Sequence, residues 1–249
     1  MLVRITNHCT MGCRHCFINS TPKGEHMSFA TFKQTCHMAE MLEDKMLLVS
    51  GGEPTDHPEL VKFLTYAKGE GMHLMLLTNG EWLVDPAFSD KEAVLRLVDG
   101  VQVTNDDRYY PRRVAQVAHP KVVYETRIRR VVPFGRAKTN GLETQAKGPL
   151  CFNLRSFARA YSSLRMAIKL QRVRGSFCTP SVNIDGSVLA GEAVTCCSIG
   201  HVSAEEPALD KGIINLQCNN CGLCDGLSTV QKEAIGEPIS PFHKSNLEG

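Results

Sequence analysis

Five apolar runs, each closed by a polar or glycine-bearing loop and most followed by a helical stripe, constrain this chain more than any other feature. Residues 2–6, 46–49, 73–77, 101–104 and 122–132 read as strands, and the uninterrupted run 46–49 is of the kind buried on both faces of a parallel sheet. Between the first two, Phe29, Phe32, Cys36, Ala39 and Leu42 share one helix face, with Ser28 placed as its cap. Asp56 and Glu59 are placed to cap a second helix whose Leu60, Val61, Leu64 and Ala67 face inward. Further helices are expected over 90–98 and 112–118. Strands alternating with helices imply a parallel sheet with right-handed crossovers. The loops after the strands then collect at one end of that sheet, where α/β folds keep their functional groups. Here those loops carry Cys9, Cys13 and Cys16, then Gly51-Gly52-Glu53-Pro54, Thr78-Asn79-Gly80 and Thr104-Asn105-Asp106.

Beyond residue 135 the pattern changes. The stretch 136–148 is polar, 153–172 reads as one long basic helix, and 182–189 alternates about Asp185-Gly186 as a hairpin. Cys178 and the pair Cys196-Cys197 flank the hairpin, and Cys218, Cys221 and Cys224 follow it. Eleven cysteines, in a chain whose first residues lack the basic start and apolar run of a secretion signal, argue for metal or redox chemistry in the cytoplasm rather than a disulfide framework. No run approaches the ~18 apolar residues of a membrane span, so no membrane partner is expected. The formal charge of +2 conceals an asymmetry: Asn105 to Gly175 holds sixteen Lys and Arg against four acids. A surface of Arg155, Arg159, Arg165 and Lys169 is expected to lie open to an acidic partner.

Cys9, Cys13 and Cys16 offer three soft thiolates within eight residues, so a single loop could wrap a metal centre. Three cysteines are one short of closing an iron-sulfur cube and leave one iron open to a small molecule. From the residues alone, a zinc site completed by His8 or His15 is the alternative, and with it a non-enzymatic zinc-binding interaction module. Gly51 and Gly52 permit close backbone approach to a ligand, and Glu53 adds a charged acceptor. Asn79 and Thr104, polar residues at strand ends, suit either ligand contact or capping.

The spacing of Cys9, Cys13 and Cys16 (C-x3-C-x2-C) after the first strand, with Gly51-Gly52-Glu53-Pro54 after the second, resembles the radical S-adenosylmethionine (SAM) superfamily. Thr78-Asn79-Gly80 and the segment from Val131 to Arg136 resemble parts of members with an extra C-terminal cluster. The resemblance implies an α/β fold, a partial (β/α)6 TIM-like barrel with a small C-terminal cysteine-rich β-hairpin/α extension. The barrel is expected over 1–150, a connecting basic helix over 151–175, a twitch/SPASM-like auxiliary cluster domain over 176–240 and a tail over 241–249. It further implies a [4Fe-4S] cluster on Cys9, Cys13 and Cys16 that binds SAM at its open iron. Gly51, Gly52, Glu53, Asn79 and Thr104 become the cofactor-binding set. His15 stands where the family usually has an aromatic residue near the adenine. One auxiliary [4Fe-4S] cluster is expected on Cys178, Cys196, Cys218 and Cys221, with Cys224 in reserve.

The implied chemistry is reductive cleavage of SAM to a 5'-deoxyadenosyl radical that abstracts a substrate hydrogen, with the auxiliary cluster anchoring substrate or accepting an electron. An external one-electron reductant of flavodoxin or ferredoxin type is then required. A peptide or protein that is oxidised or cross-linked is the first expected substrate, ahead of two-electron oxidation of a small polar metabolite. RNA modification, suggested only by the basic middle of the chain, ranks last, so nucleic acid is the least favoured partner.

Overall fold

The computed structural model describes residues 1–128, 131, 134–142, 151–173, 180–191 and 197–216. Within them the alternation folds as a mixed α/β structure on one sheet. Its strands are β1 (Leu2–Thr6), β2 (Met46–Gly51), β3 (His73–Thr78), β4 (Gly100–Thr104), β5 (Val122–Glu125), β6 (Ser181–Val182), β7 (Ser187–Leu189) and β8 (Ser198–His201), in the order β5-β4-β3-β2-β1-β6-β7-β8. β1 to β5 are mutually parallel neighbours, with Leu2 opposite Leu48, Leu47 opposite Leu74 and Val101 opposite Val122. The helices are α1 (Phe29–Met41), α2 (Leu60–Gly69), α3 (Glu81–Val84), α4 (Lys91–Leu97), α5 (Gly135–Thr139), α6 (Cys151–Tyr161), α7 (Leu164–Val173) and α8 (Glu206–Ile214).

Alternation along each strand decides what the core contains. Val3, Ile5, Leu47, Val49, Leu74, Leu76, Val101 and Val103 are buried and meet the apolar faces of α1, α2 and α4. Ser28 caps α1 as its position predicts, its Oγ accepting from Thr31 N at 3.1 Å. Phe32 of α1 then stacks on Phe63 of α2 with ring centroids 4.4 Å apart. No helix among the described residues is long and apolar enough to cross a membrane.

Local expectation fails wherever a distant residue offers a better partner. Asp56 does not cap α2: a 3-10 turn over Pro54–Asp56 intervenes, and the Asp56 carboxylate accepts from His8 Nδ1 at 3.0 Å. Residues 112–118 form no helix, because Arg112 is drawn to Glu81, Arg113 to Asp107, and Val117 N to the Tyr124 hydroxyl. The last strand of the parallel run stops at Glu125 rather than near 132, and Ile128 N turns to Asp106 Oδ2 at 2.7 Å. The long basic helix is two helices, divided at Ser162 with φ 52, after which Asp210 Oδ1 accepts from Leu164 N at 2.6 Å.

The hairpin forms about Asp185-Gly186 as expected, Gly186 supplying φ 84. Its first strand, however, pairs in parallel with β1, so the hairpin continues the main sheet. This explains a buried arginine in β1: Arg4 Nη1 donates to Ser181 Oγ and Asn183 Oδ1, both at 3.0 Å. The basic surface is likewise drawn inward. Arg155 and Arg159 donate to the Leu216 and Ile214 carbonyls at the C-terminal end of α8, where helical carbonyls lack partners. Arg165 and Lys169 both pair with Glu43, and Arg165 also with Glu206. The four cations expected to await an acidic partner are therefore engaged within the chain.

Candidate functional site

The loop that leaves β1 is laced to its own far end and to the exit of β2. Asn7 N donates to Glu25 O at 2.8 Å, Cys9 N to Thr21 O at 3.0 Å, and Thr21 N back to Asn7 O at 3.3 Å. From β2, Gly52 N donates to Thr6 O at 2.7 Å and Glu53 N to His8 O at 2.8 Å. A Cβ on Gly52 would lie 2.1 Å from His8 O, and one on Gly51, whose φ is +148, would lie 2.3 Å from Thr6 O. The two glycines are thus required for close approach, but to the chain's own backbone. They fix the cysteine loop against the Gly-Gly-Glu-Pro turn.

On that loop Cys9 and Cys13 are buried and Cys16 is half-buried, all three as free thiols. Their side chains pack with Met11, Tyr110 and Val114. Burial pushes the Cys9 thiol up to about 11 and the Cys13 thiol up to about 12. Both are therefore protonated thiols near pH 7. Of the two histidines that would complete a zinc site, His8 gives its Nδ1 to Asp56, while the His15 ring lies against Tyr109 and Tyr110, with centroids 5.2 and 5.1 Å away, and its buried Nδ1 makes no hydrogen bond. Among the described residues no three His, Cys, Asp or Glu side chains group as ligands of one ion. A cube asks something different, since each thiolate holds its own iron, and three free soft donors on one loop fit it. Burial also lowers the His15 imidazole to about 4, so it is neutral near pH 7.

Glu53 is buried at the join of β2 and β3 and collects four donors. Its Oε1 accepts from Thr55 N at 3.2 Å, Thr55 Oγ1 at 2.8 Å and Thr78 Oγ1 at 2.8 Å, and its Oε2 from Asn79 N at 2.8 Å. Desolvation nevertheless dominates and pushes its carboxyl up to about 7. Asn79, also buried, uses Oδ1 to accept from Glu81 N at 2.8 Å in a turn two residues long, while Gly80 stands at the cap position of α3. Thr104 closes β4, half-buried and opposite Glu125. A cavity of about 440 Å³ opens beside these loops, lined by Thr10, Glu53, Asp56, Glu81, Trp82 and Arg112 among others. That volume suits a cofactor-sized ligand. Cys178, Cys196, Cys218, Cys221 and Cys224 lie outside the described residues.

Three groups at this end of the sheet escape sequence reasoning. Asp106 is fully buried and gathers Arg108, Arg127 and the Ile128 amide. The loop it closes carries Tyr109, whose carbonyl accepts from Arg14 N at 2.9 Å, and Tyr110, which packs on the cysteines. Arg136, visible in sequence only as the end of a segment, reaches the cysteine loop from α5, its Nε donating to Cys13 O. An Asp at a strand end followed by two tyrosines was the signal available in sequence, and a single sequence does not separate it from an ordinary turn.

The sequence pattern of the radical SAM superfamily matches residues 3–130, more than half of the chain. An S-adenosylmethionine-dependent nucleotide dehydratase of Selenomonas ruminantium is 28% identical over 94 residues, covering 36% of this chain and 33% of that protein. The PqqA peptide cyclase of Ruegeria pomeroyi is 30% identical over 99 residues, covering 38% and 26%. The subtilosin biosynthesis protein AlbA of Bacillus subtilis is 34% identical over 80 residues, covering 30% and 17%. The chain spans a third or less of the length of these relatives. Among solved structures, BtrN in complex with AdoMet and 2-DOIA is 14% identical with a TM-score of 0.51, covering 86% of this chain and 81% of that one, a likeness of fold.

Proposed function

Because the chain belongs to the radical SAM superfamily, we propose that Cys9, Cys13 and Cys16 hold a [4Fe-4S] cluster, that SAM binds beside it, and that the chain acts on a peptide or protein substrate. When bound, the cluster supplies the electron that splits SAM into methionine and a 5'-deoxyadenosyl radical, which takes a hydrogen from the substrate. The observation that carries the reading is the lacing of three free thiols to the Gly-Gly-Glu-Pro turn through His8 and Thr6.

The protein's own part is to bind, orient and exclude competing reactions. Gly51 and Gly52 bring the turn against the cysteine loop, and Glu53 ties the ends of β2 and β3 together while facing the cavity. A carboxyl buried there suits the ammonium of SAM, whose positive charge would hold it ionised. His15 would meet the adenine as a neutral ring, with Asn79 and Thr104 at the neighbouring strand ends. An auxiliary [4Fe-4S] cluster on Cys178, Cys196, Cys218 and Cys221, with Cys224 in reserve, would anchor substrate or accept the second electron. A flavodoxin- or ferredoxin-type donor in the cytoplasm would supply the separate electron that cleaves SAM. The peptide reading is supported by relatives whose names refer to a peptide cyclase and to bacteriocin biosynthesis.

Protein prepared without oxygen should hold about eight iron per chain, four for each cube. With reductant and SAM it should release 5'-deoxyadenosine, and Cys13→Ala should abolish that release. Replacing Cys178 and Cys196 with Ala should halve the iron while sparing SAM cleavage. Zinc without labile sulfide would overturn the reading. Hydrogen transfer from small polar metabolites, and from no peptide encoded near its gene, would overturn the substrate class alone.

A further inference from the structure

α5 gives the cysteine loop a wall that none of the thiols provides. Arg136 N donates to Cys16 O at 2.9 Å, Arg136 Nε to Cys13 O at 2.9 Å and Nη1 to Ser20 O at 2.7 Å. One turn on, Asn140 Nδ2 donates to Arg14 O at 2.9 Å. Gly135, with φ +55, allows this approach: a Cβ there would lie 2.7 Å from Phe17 O and 2.8 Å from Cys16 O. Four carbonyls of residues 13–20 are therefore committed to one short segment, while the Cys9, Cys13 and Cys16 side chains pack toward a different set of neighbours, Met11, Tyr110 and Val114.

This division has a physical consequence for a loop that wraps an anionic cluster. A carbonyl oxygen turned toward such a cluster repels it, whereas a carbonyl held by a guanidinium is turned aside, and iron-sulfur sites favour backbone that presents N–H groups instead. Arg136 suits the task through its fork, which serves carbonyls seven residues apart with fixed geometry; a lysine offers the same charge at a single point. We propose that Arg136 is a positioning residue for the cluster, holding the Cys13 to Ser20 backbone so that the thiols remain presented together. The proposal rests on the reading that Cys9, Cys13 and Cys16 bind iron. It carries a second consequence. The positive charge beside the loop favours the reduced, more negative cluster and so raises its reduction potential.

Wild type, Arg136→Met, Arg136→Lys and a Cys9→Ala, Cys13→Ala, Cys16→Ala triple variant should be reconstituted in parallel. The iron that the triple variant lacks is the share held by the loop. Arg136→Met should bind that share about 10- to 100-fold more weakly in competition with a chelator, as is usual when a partner behind a metal ligand is lost. The electron paramagnetic resonance signal that responds to SAM should titrate at a more negative potential in Arg136→Met. Arg136→Lys should restore the potential, which follows charge, but not the retention, which follows the fork. Equal iron in wild type and the triple variant would overturn the cluster assignment. Loss of iron in the triple variant, with wild-type retention and potential in Arg136→Met, would overturn the role of Arg136 alone. If melting of the apoprotein shows that Arg136→Met does not fold, Arg136→Lys decides, and retention equal to wild type would overturn the proposal.

Discussion

Replacing Asp106 with Ala should cost this fold more than any substitution on its surface, and the structure sets the scale. The carboxylate is fully buried and accepts from Ile128 N at 2.7 Å, Arg108 N at 3.1 Å, Arg108 Nε at 2.9 Å and Arg127 Nη1 at 3.4 Å. Hydrogen bonds to an ionised group contribute roughly 1.5–3 kcal/mol each, and the two backbone bonds together about 3 kcal/mol once water reaches the freed Arg108 amide. The guanidiniums of Arg108 and Arg127 are 47% and 64% exposed and return to solvent when the carboxylate is lost, adding at most ~1 kcal/mol. The expected loss is therefore about 4 kcal/mol, or roughly 8–16 °C in melting temperature for a chain of this size. The single tryptophan, Trp82, is buried beside Thr78 and reports unfolding by fluorescence in urea or on heating. Asp106→Asn, which keeps one acceptor, should lose about half as much. The Arg108 guanidinium holds the Asp106 carboxyl well below the usual carboxylate range. Its folded value thus lies below its unfolded one, so its stabilisation is complete above the ordinary Asp value near 4 and fades as pH falls below it. Wild type and Asp106→Asn should accordingly converge in acid. A loss below ~1 kcal/mol for Asp106→Ala near pH 7 would refute the reasoning.

Glu53 should act in the opposite sense. Its carboxyl is raised from 4.5 to about 7 in the folded chain, so its contribution is most favourable below the unfolded value and is lost as pH rises through the folded one, by up to ~3 kcal/mol. Urea midpoints at pH 5 and pH 8 should show this slope in wild type and not in Glu53→Gln; parallel curves would count against it. Gly52→Ala should destabilise by more than about 3 kcal/mol, because strain of that size is the expected result of backbone overlap, and its Cβ would sit 2.1 Å from His8 O. Gly69→Ala, in open space, should be neutral or stabilising by up to ~1 kcal/mol, and equal effects at the two sites would be fatal to the argument.

The local elements of the fold were legible because their causes are local. Apolar runs placed β1 to β4, the spacing of Phe32, Cys36 and Ala39 placed α1, and Asp185-Gly186 placed the hairpin turn. The cysteine loop and the Gly-Gly-Glu-Pro turn were legible for the same reason, as residue types whose chemistry survives without knowledge of neighbours.

Tertiary structure decided whatever depends on a partner far along the chain. Nothing near Asp56 or Arg112 in sequence indicates that His8 and Glu81 will claim them, so a cap and a helix expected from short-range pattern do not form. Net charge over a window likewise does not reveal that Arg155, Arg159, Arg165 and Lys169 find carbonyls and carboxylates within the fold. The pairing of β6 with β1, the burial of Asp106 and the reach of Arg136 across more than a hundred residues to the Cys13 carbonyl belong to the same class. Sequence specifies which groups seek hydrogen bonds and which seek burial, but the choice among distant partners is made only when the core closes and removes water as the competing one.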